Sequence, residues 1–438
     1  MKITKLSIAA LAVVGFASSA MAMDLSGVTA KPFAGVKLYY EATDMNGNDL
    51  FDQASASGQA LLNAGVTGKF DSCWGYGFEY MVADTLGLEN NLVGNTRMGA
   101  GIGKTILDTQ DWASQAYVTY SPCNTILSNT TFKIGRQYLD TPLAFTERWN
   151  LAPNSFDAIV ALNQDIKNVT LVGAYVGRGN GVKVAVSNAD KFEGYGTNAA
   201  HPNGGKGAYA VGALTNFIDG LPINLWYYNV VGSADAFWAD ADYTYKMADD
   251  MSFDLGAQYG SIMPKGAVEA AIPGIGDTNG FGVKIGTKIG MFDVMAAYSS
   301  VDDDSGKAKI ALANTATMSG TTGGKKTKLY TAGIYTDGTG VAVPGSDAYK
   351  VKAAANVAGI GKFIAQYVVC ENDTIDPTTK RKNPMTNVSE LDLIYATKLA
   401  GINTKLIYMS RSIDEGKVAN AGLKDDTQHV RVILSKKF

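Results

Sequence analysis

Strict alternation of apolar and polar positions recurs along this chain and predicts strands. Between residues 237 and 247 one parity reads Phe237, Ala239, Ala241, Tyr243, Tyr245 and Met247, while the other reads Trp238, Asp240, Asp242, Thr244 and Lys246. A period of two sets these residues on opposite faces of a sheet. The next segment repeats the pattern, with Met251, Phe253, Leu255, Ala257 and Tyr259 against Ser252, Asp254, Gly256 and Gln258. Tyr349 to Val357 opposes Lys350 and Lys352, and Leu391, Leu393 and Tyr395 oppose Glu390 and Asp392.

Extending this reading predicts about 18 strands, an even number as single-chain bacterial barrels have. They fall at 33–43, 59–70, 73–83, 111–121, 130–137, 169–176, 182–189, 208–217 and 223–231, then at 237–247, 251–260, 280–289, 292–300, 348–358, 361–370, 388–399, 402–411 and 428–438. Short connections alternate with long ones, which assigns turns to one rim and loops to the other. Arg97 to Lys104 is placed in a long second loop, 84–109, and 301–347 is read as another long loop with a possible hairpin arm at 329–336. Prolines, Pro32 among them, are expected only in connections or at strand starts, because proline cannot donate to a ladder.

Periodicity alone does not decide which face meets water. In a soluble sandwich the apolar parity would face a protein core, whereas in a membrane barrel it faces lipid and the charged parity faces a channel. Two features favour the barrel. Residues 1–22 carry Lys2 and Lys5, an apolar run from Leu6 to Phe16, and Ala20-Met21-Ala22, the form of a secretory signal peptide. The last predicted strand closes on Phe438. The expectation is therefore an all-β transmembrane antiparallel barrel forming one domain over 23–438, in the outer membrane, in contact with its lipid and lipopolysaccharide. The mature sequence has no apolar stretch long enough for a spanning helix, and lipid admits only helices and closed sheets.

Net charge of −3 and a pI near 5.6 exclude the basic footprint of a nucleic-acid binder. Two histidines, His201 and His429, and three cysteines form no constellation for catalysis or zinc, so neither enzyme nor cofactor is expected. Asp302-Asp303-Asp304-Ser305-Gly306 has carboxylates that suit calcium but lacks EF-hand spacing, and reads better as a solvated loop tip. Cys73 opens the third predicted strand and Cys123 follows the fourth, which places both at the same rim. They are expected to pair, with Cys370 free at the other rim; three unpaired thiols are the alternative.

Residues 132–176 resemble OprD-type porins and the related major outer-membrane porins of Campylobacter-like bacteria. The matching features are a strand ending Gly135-Arg136-Gln137, a turn at Pro142, Arg148 shortly before Pro153, Phe156 followed by small residues, and a strand resuming at Val169. The resemblance implies a third external loop, about 138–168, that folds inward to narrow the pore, and protomers that form trimers. The basic ladder of carboxylate-selective members is not legible in this sequence. Candidate constriction residues are Asp140, Glu147, Asp157 and Asp165 against Arg136, Arg148 and Lys167, and their acidic excess suggests weak cation preference. Parity adds Lys37, Glu41, Lys69, Glu79, Asp240, Asp242, Asp254, Lys350, Lys352, Glu390 and Asp392 as pore-lining. The expected function is passive diffusion of small hydrophilic solutes and ions. A nutrient-selective channel and a surface adhesin or structural barrel are the alternatives.

Overall fold

The computed structural model describes residues 23–25, 27–44, 47–96, 109–123, 127, 129–181, 189–196, 205–303, 307–317, 324, 326–372, 387–413 and 426–438. The proposed signal segment, His201, the tip Asp304 to Gly306, the stretch from Arg97 to Lys104 and residues 182–188 lie outside them.

Eighteen antiparallel strands form a closed barrel. In chain order they are β1 (Val28–Thr43), β2 (Ser57–Lys69), β3 (Trp74–Asp84), β4 (Gln110–Tyr120), β5 (Thr130–Gln137), β6 (Phe156–Asn163), β7 (Val169–Gly179), β8 (Ala208–Ile218) and β9 (Leu221–Val230). The ring continues with β10 (Ala234–Ala248), β11 (Met251–Pro264), β12 (Thr278–Ile289), β13 (Phe292–Val301), β14 (Ser346–Val357), β15 (Gly361–Asn372), β16 (Val388–Leu399), β17 (Ile402–Ile413) and β18 (Asp426–Lys437). Each strand pairs with the next, and β18 pairs back onto β1 from Gly35 opposite Lys437 to Thr43 opposite His429. The backbone of Phe438 completes the seam, donating to Ala34 O at 2.8 Å. Every inner strand therefore has two neighbours, which removes the edges that lipid would leave unpaired. Two short strands, Met23–Leu25 and Glu193–Gly194, lie outside this ring.

The count agrees with the sequence reading, but its membership does not. Phe156–Asn163 is a strand, paired with both β5 and β7. The predicted strand 182–189 lies, but for Ala189, outside the described residues, among which β7 pairs directly with β8 from Val169 opposite Thr215 to Val176 opposite Ala208. The strand Phe156–Asn163 is absent from the sequence reading. The omission has a physical cause: Ile159 faces outward while Phe156, Ala158 and Val160 are buried on the inner side. Both faces of β6 are apolar there, so no period-two signal arises. Pro32 also lies inside β1 and not before it. It is tolerated because it pairs with β2 only, and β18 reaches no further than Gly35.

Polarity is inside-out. Tyr245, Leu255, Phe281, Val283, Ile285, Val351, Tyr367 and Leu393 stand exposed on the outer face, whereas Trp238, Gln258, Lys350, Glu390 and Asp392 are buried on the inner one. Such a surface suits lipid.

Cys73 and Cys123, in the connections after β2 and β4, form a disulfide with Cα atoms 5.6 Å apart, and Cys370 on β15 is buried and free. The bridge closes a separation of 50 residues at the turn rim. Replacing Cys73 by Ser should lower unfolding free energy by about 2–4 kcal/mol, read as an earlier denaturant midpoint in detergent. An unchanged midpoint, or both thiols alkylated without reductant, would count against the bridge.

Candidate functional site

The lumen is narrowed by two loops that turn inward. The first, residues 138–155 between β5 and β6, is the third long loop in chain order. It folds in because it is apolar on both sides. Leu139 and Ala144 pack on Phe156, Ala158, Val160 and Val176 of the inner wall, and Leu151 and Ala152 pack on Tyr39, Leu61, Met81 and Trp112. Burying such side chains stabilises by about 25 cal/mol per Å2 of apolar surface removed from water. Polar groups fix the path. The Tyr138 hydroxyl donates to Glu79 Oε2 at 2.7 Å, and Glu147 N donates to Asn154 Oδ1 at 2.6 Å. Burial, and then the charge of Glu79, raise the Tyr138 pKa, so the hydroxyl stays a proton donor.

The second loop, residues 302–345 between β13 and β14, does not stay outside as the alternation of long and short connections predicts. It enters the barrel and joins the first loop. Asn314 Nδ2 donates to Phe145 O and to Glu147 Oε1, each at 2.9 Å, Thr315 N donates to Leu143 O at 2.8 Å, and Lys328 pairs with Asp140 at 2.8 Å. Leu312, Leu329, Val341 and Ala342 extend the apolar cluster against Trp226, Trp238 and Ile262. From there the loop crosses the inner wall strand by strand. The Tyr330 hydroxyl donates to Asp242 at 2.8 Å, Gln258 Nε2 donates to Lys328 O at 2.8 Å, and Lys350 Nζ donates to Ala332 O at 2.5 Å. Burial, and then the bond to Asp242, raise the pKa of Tyr330.

The tip of this loop is held by one carboxylate. Glu390 is fully buried and accepts the backbone N–H groups of Ile334 at 2.6 Å, Tyr335 at 2.9 Å and Thr336 at 2.6 Å, together with the Thr336 hydroxyl at 2.8 Å. Successive N–H groups converging on an anion make a nest. Beside it, the Tyr335 hydroxyl donates to Glu41 Oε1 at 2.6 Å, Arg431 Nε donates to Glu41 Oε2 at 2.5 Å, and the Tyr335 ring lies 4.4 Å from that of His429.

Parity thus identifies the inner face but not what covers it. Glu41, Glu79, Lys350, Glu390 and Asp392 face inward, yet all are buried, holding loops or one another. Asp240 is bonded by Asn224 and Trp238. Lys37 donates to Asn150 O and lines open space, as do Asp242, Asp254 and Lys352.

On the predicted constriction segment the placements divide. Arg148 lines a cavity, Asp140 is paired with Lys328, and Glu147 is buried between the loops. Arg136 and Asp157 are on β5 and β6, opposite each other and in the parity of exposed Ile134 and Ile159. They face outward, bridged at 2.8 Å, with Arg178 2.8 Å from the same carboxylate. Asp165 belongs to the turn between β6 and β7, at the rim opposite the loop. Of the four acidic candidates, Asp140, paired with Lys328, is the one exposed on the infolded loop.

The predicted Lys37 and Arg148 line the main cavity of the lumen, about 610 Å3, beside the loops, together with four basic residues missed in the sequence, Lys326, Lys398, Lys405 and Arg431. No carboxylate is among its lining residues. The basic residues lie on β1, both loops, β16, β17 and β18, so only the closed ring brings them together. The Asp302 carboxylate is taken up by Asn279 and Lys309, and no metal-ligating cluster occurs among the described residues.

A closed sheet with an oily exterior, enclosing a charged lumen narrowed by its own loops, is an outer-membrane porin, a conduit for small solutes. The chain belongs to the Campylobacter major outer membrane protein family, whose model matches residues 1–377. Comparison with curated proteins returned no match. Among solved structures the fold is shared by three Pseudomonas aeruginosa proteins: OccK9 (OpdG), at TM-score 0.69 and 14% identity, OccK2 (OpdF) in complex with glucuronate, at 0.67 and 14%, and OpdK with vanillate, at 0.66 and 13%. Each comparison covers 93% of this chain and 98% of the other.

Proposed function

We propose that this porin passes small hydrophilic solutes passively, without catalysis, and with a modest preference for anionic ones. The observation that carries the reading is the main cavity, whose charged lining residues are all basic. Fixed charges in a narrow wet channel set which ions enter. The ligands named for two structurally similar porins, glucuronate and vanillate, are carboxylates, which agrees with this sign. The weak cation preference suggested by sequence has less support than the anionic one, because of the four carboxylates behind it only Asp140, itself paired with Lys328, is exposed on the infolded loop. Reversal potentials across a potassium chloride gradient test the proposal: a potential of the chloride sign is expected, and a clear potassium sign would reject it.

Two further readings complete the proposal. Protomers assemble as trimers, supported by the family resemblance and by the small outward residues Val36, Ala64, Val66 and Gly68 on β1 and β2, which permit close approach. Chemical cross-linking in native membranes should then stop at three protomers, and a ladder ending at one would reject it. Residues 1–22 direct export and are removed, so Edman sequencing of the purified protein should begin at Met23; a start at Met1 would oppose this.

A further inference from the structure

A second cavity, of about 230 Å3, opens in the inner wall across β10 to β14 beside Tyr330. Unlike the basic cavity it carries both signs, with Asp242, Asp254 and Asp293 beside Lys284 and Lys352. Sheet register explains how they come to share one hollow. Asp242 of β10 and Lys284 of β12 both stand opposite Gly256 of β11. With no side chain between them they meet at 2.5 Å; a Cβ at Gly256 would lie 2.6 Å from each. In the adjacent row Asp254 stands opposite Gly286, Gly286 opposite Met295, and Met295 opposite Lys352. Two glycines thus leave an open floor with Asp254 on one side and Lys352 on the other, and Asp293 stands on β13, two residues from Met295.

The charges differ in how far they are already satisfied. Asp242 is bonded by Lys284 and Tyr330, and Asp254 accepts the Thr244 hydroxyl at 2.5 Å. Asp293 and Lys352 make no hydrogen bond or ion pair with another described residue. The hollow is also smaller than the roughly 300–1,000 Å3 typical of drug-sized pockets.

We infer that this hollow is a binding station for a small solute carrying both an ammonium and a carboxylate group. The ammonium sits against Asp254 and Asp293, and the carboxylate against Lys352. The inference rests on the porin reading and names a solute class for it. Binding there is weak and reversible, since a station that held its solute tightly would stop conduction.

Planar-bilayer recordings with serine, each variant's block normalised to its own serine-free current, test this. Serine should reduce the wild-type current saturably. The variant D254N/D293N, and separately Lys352→Met, should each raise the half-blocking concentration by roughly tenfold or more, as loss of a charge-assisted hydrogen bond predicts. No saturation in the wild type, equal half-blocking concentrations in the variants, or equal block by acetate or ethylammonium would overturn the inference. Absence of any wild-type current would instead overturn the porin reading itself.

Discussion

Single-channel conductance is expected to rise, by roughly twofold if the freed loop opens the cross-section it now fills, when Glu390 is replaced by Gln. Glu390 accepts three consecutive N–H groups and the Thr336 hydroxyl at the tip of the 302–345 loop. An amide keeps one acceptor oxygen but turns its own N–H donors toward the rest of that nest. Removing one partner from a buried charged arrangement costs on the order of 3–5 kcal/mol, enough to shift a docked-to-released ratio by about two decades or more. The barrel itself loses little, since Glu390 contributes its ladder bonds to β15 and β17 through the backbone whatever its side chain. Y335F, which removes the hydroxyl bond to Glu41, should give a smaller rise. Unchanged conductance in Glu390→Gln, with the barrel still folded, would show that the remaining contacts of the loop suffice.

The second large effect concerns ion choice. K398E/K405E converts two of the basic residues lining the main cavity to acids, and the reversal potential should change sign from chloride to potassium. The shift should be largest at low salt, because the Debye length is about 30 Å at 0.01 M and only about 3 Å at 1 M. Arg431→Gln is a poorer probe: its guanidinium is already bound to buried Glu41, so its loss disturbs the clamp around Tyr335 as well as the field. A reversal potential that keeps its sign in the double variant would place the selectivity elsewhere.

How much of this was readable beforehand depends on what each feature is made of. β10 and β11 alternate cleanly because lipid lies on one side and polar groups on the other, so their register could be taken from the residues. β6 could not, since its inner face packs on Leu139 and Ala144 of an infolded loop and is as apolar as its outer one. A stretch of some thirty residues without secondary structure was itself a warning, and the apolar run Ala158 to Leu162 was the available signal. The inward course of 302–345 was harder to see. Leu329, Tyr330, Ile334 and Tyr335 are unusually apolar for an exposed loop, but their partners on β10, β16, β1 and β18 are remote in sequence. For the same reason Glu41 and Glu390 read as pore-lining when they are loop anchors. The basic cavity was invisible as a motif because closure of the sheet, not spacing along the chain, assembles it.

A closed ring that encloses a continuous water path across a membrane must conduct ions. Purified protein, refolded in detergent and added to a planar lipid bilayer in potassium chloride, measures this most directly. Discrete, ohmic current steps are predicted, and a barrel that is folded by circular dichroism yet passes no current would contradict the account.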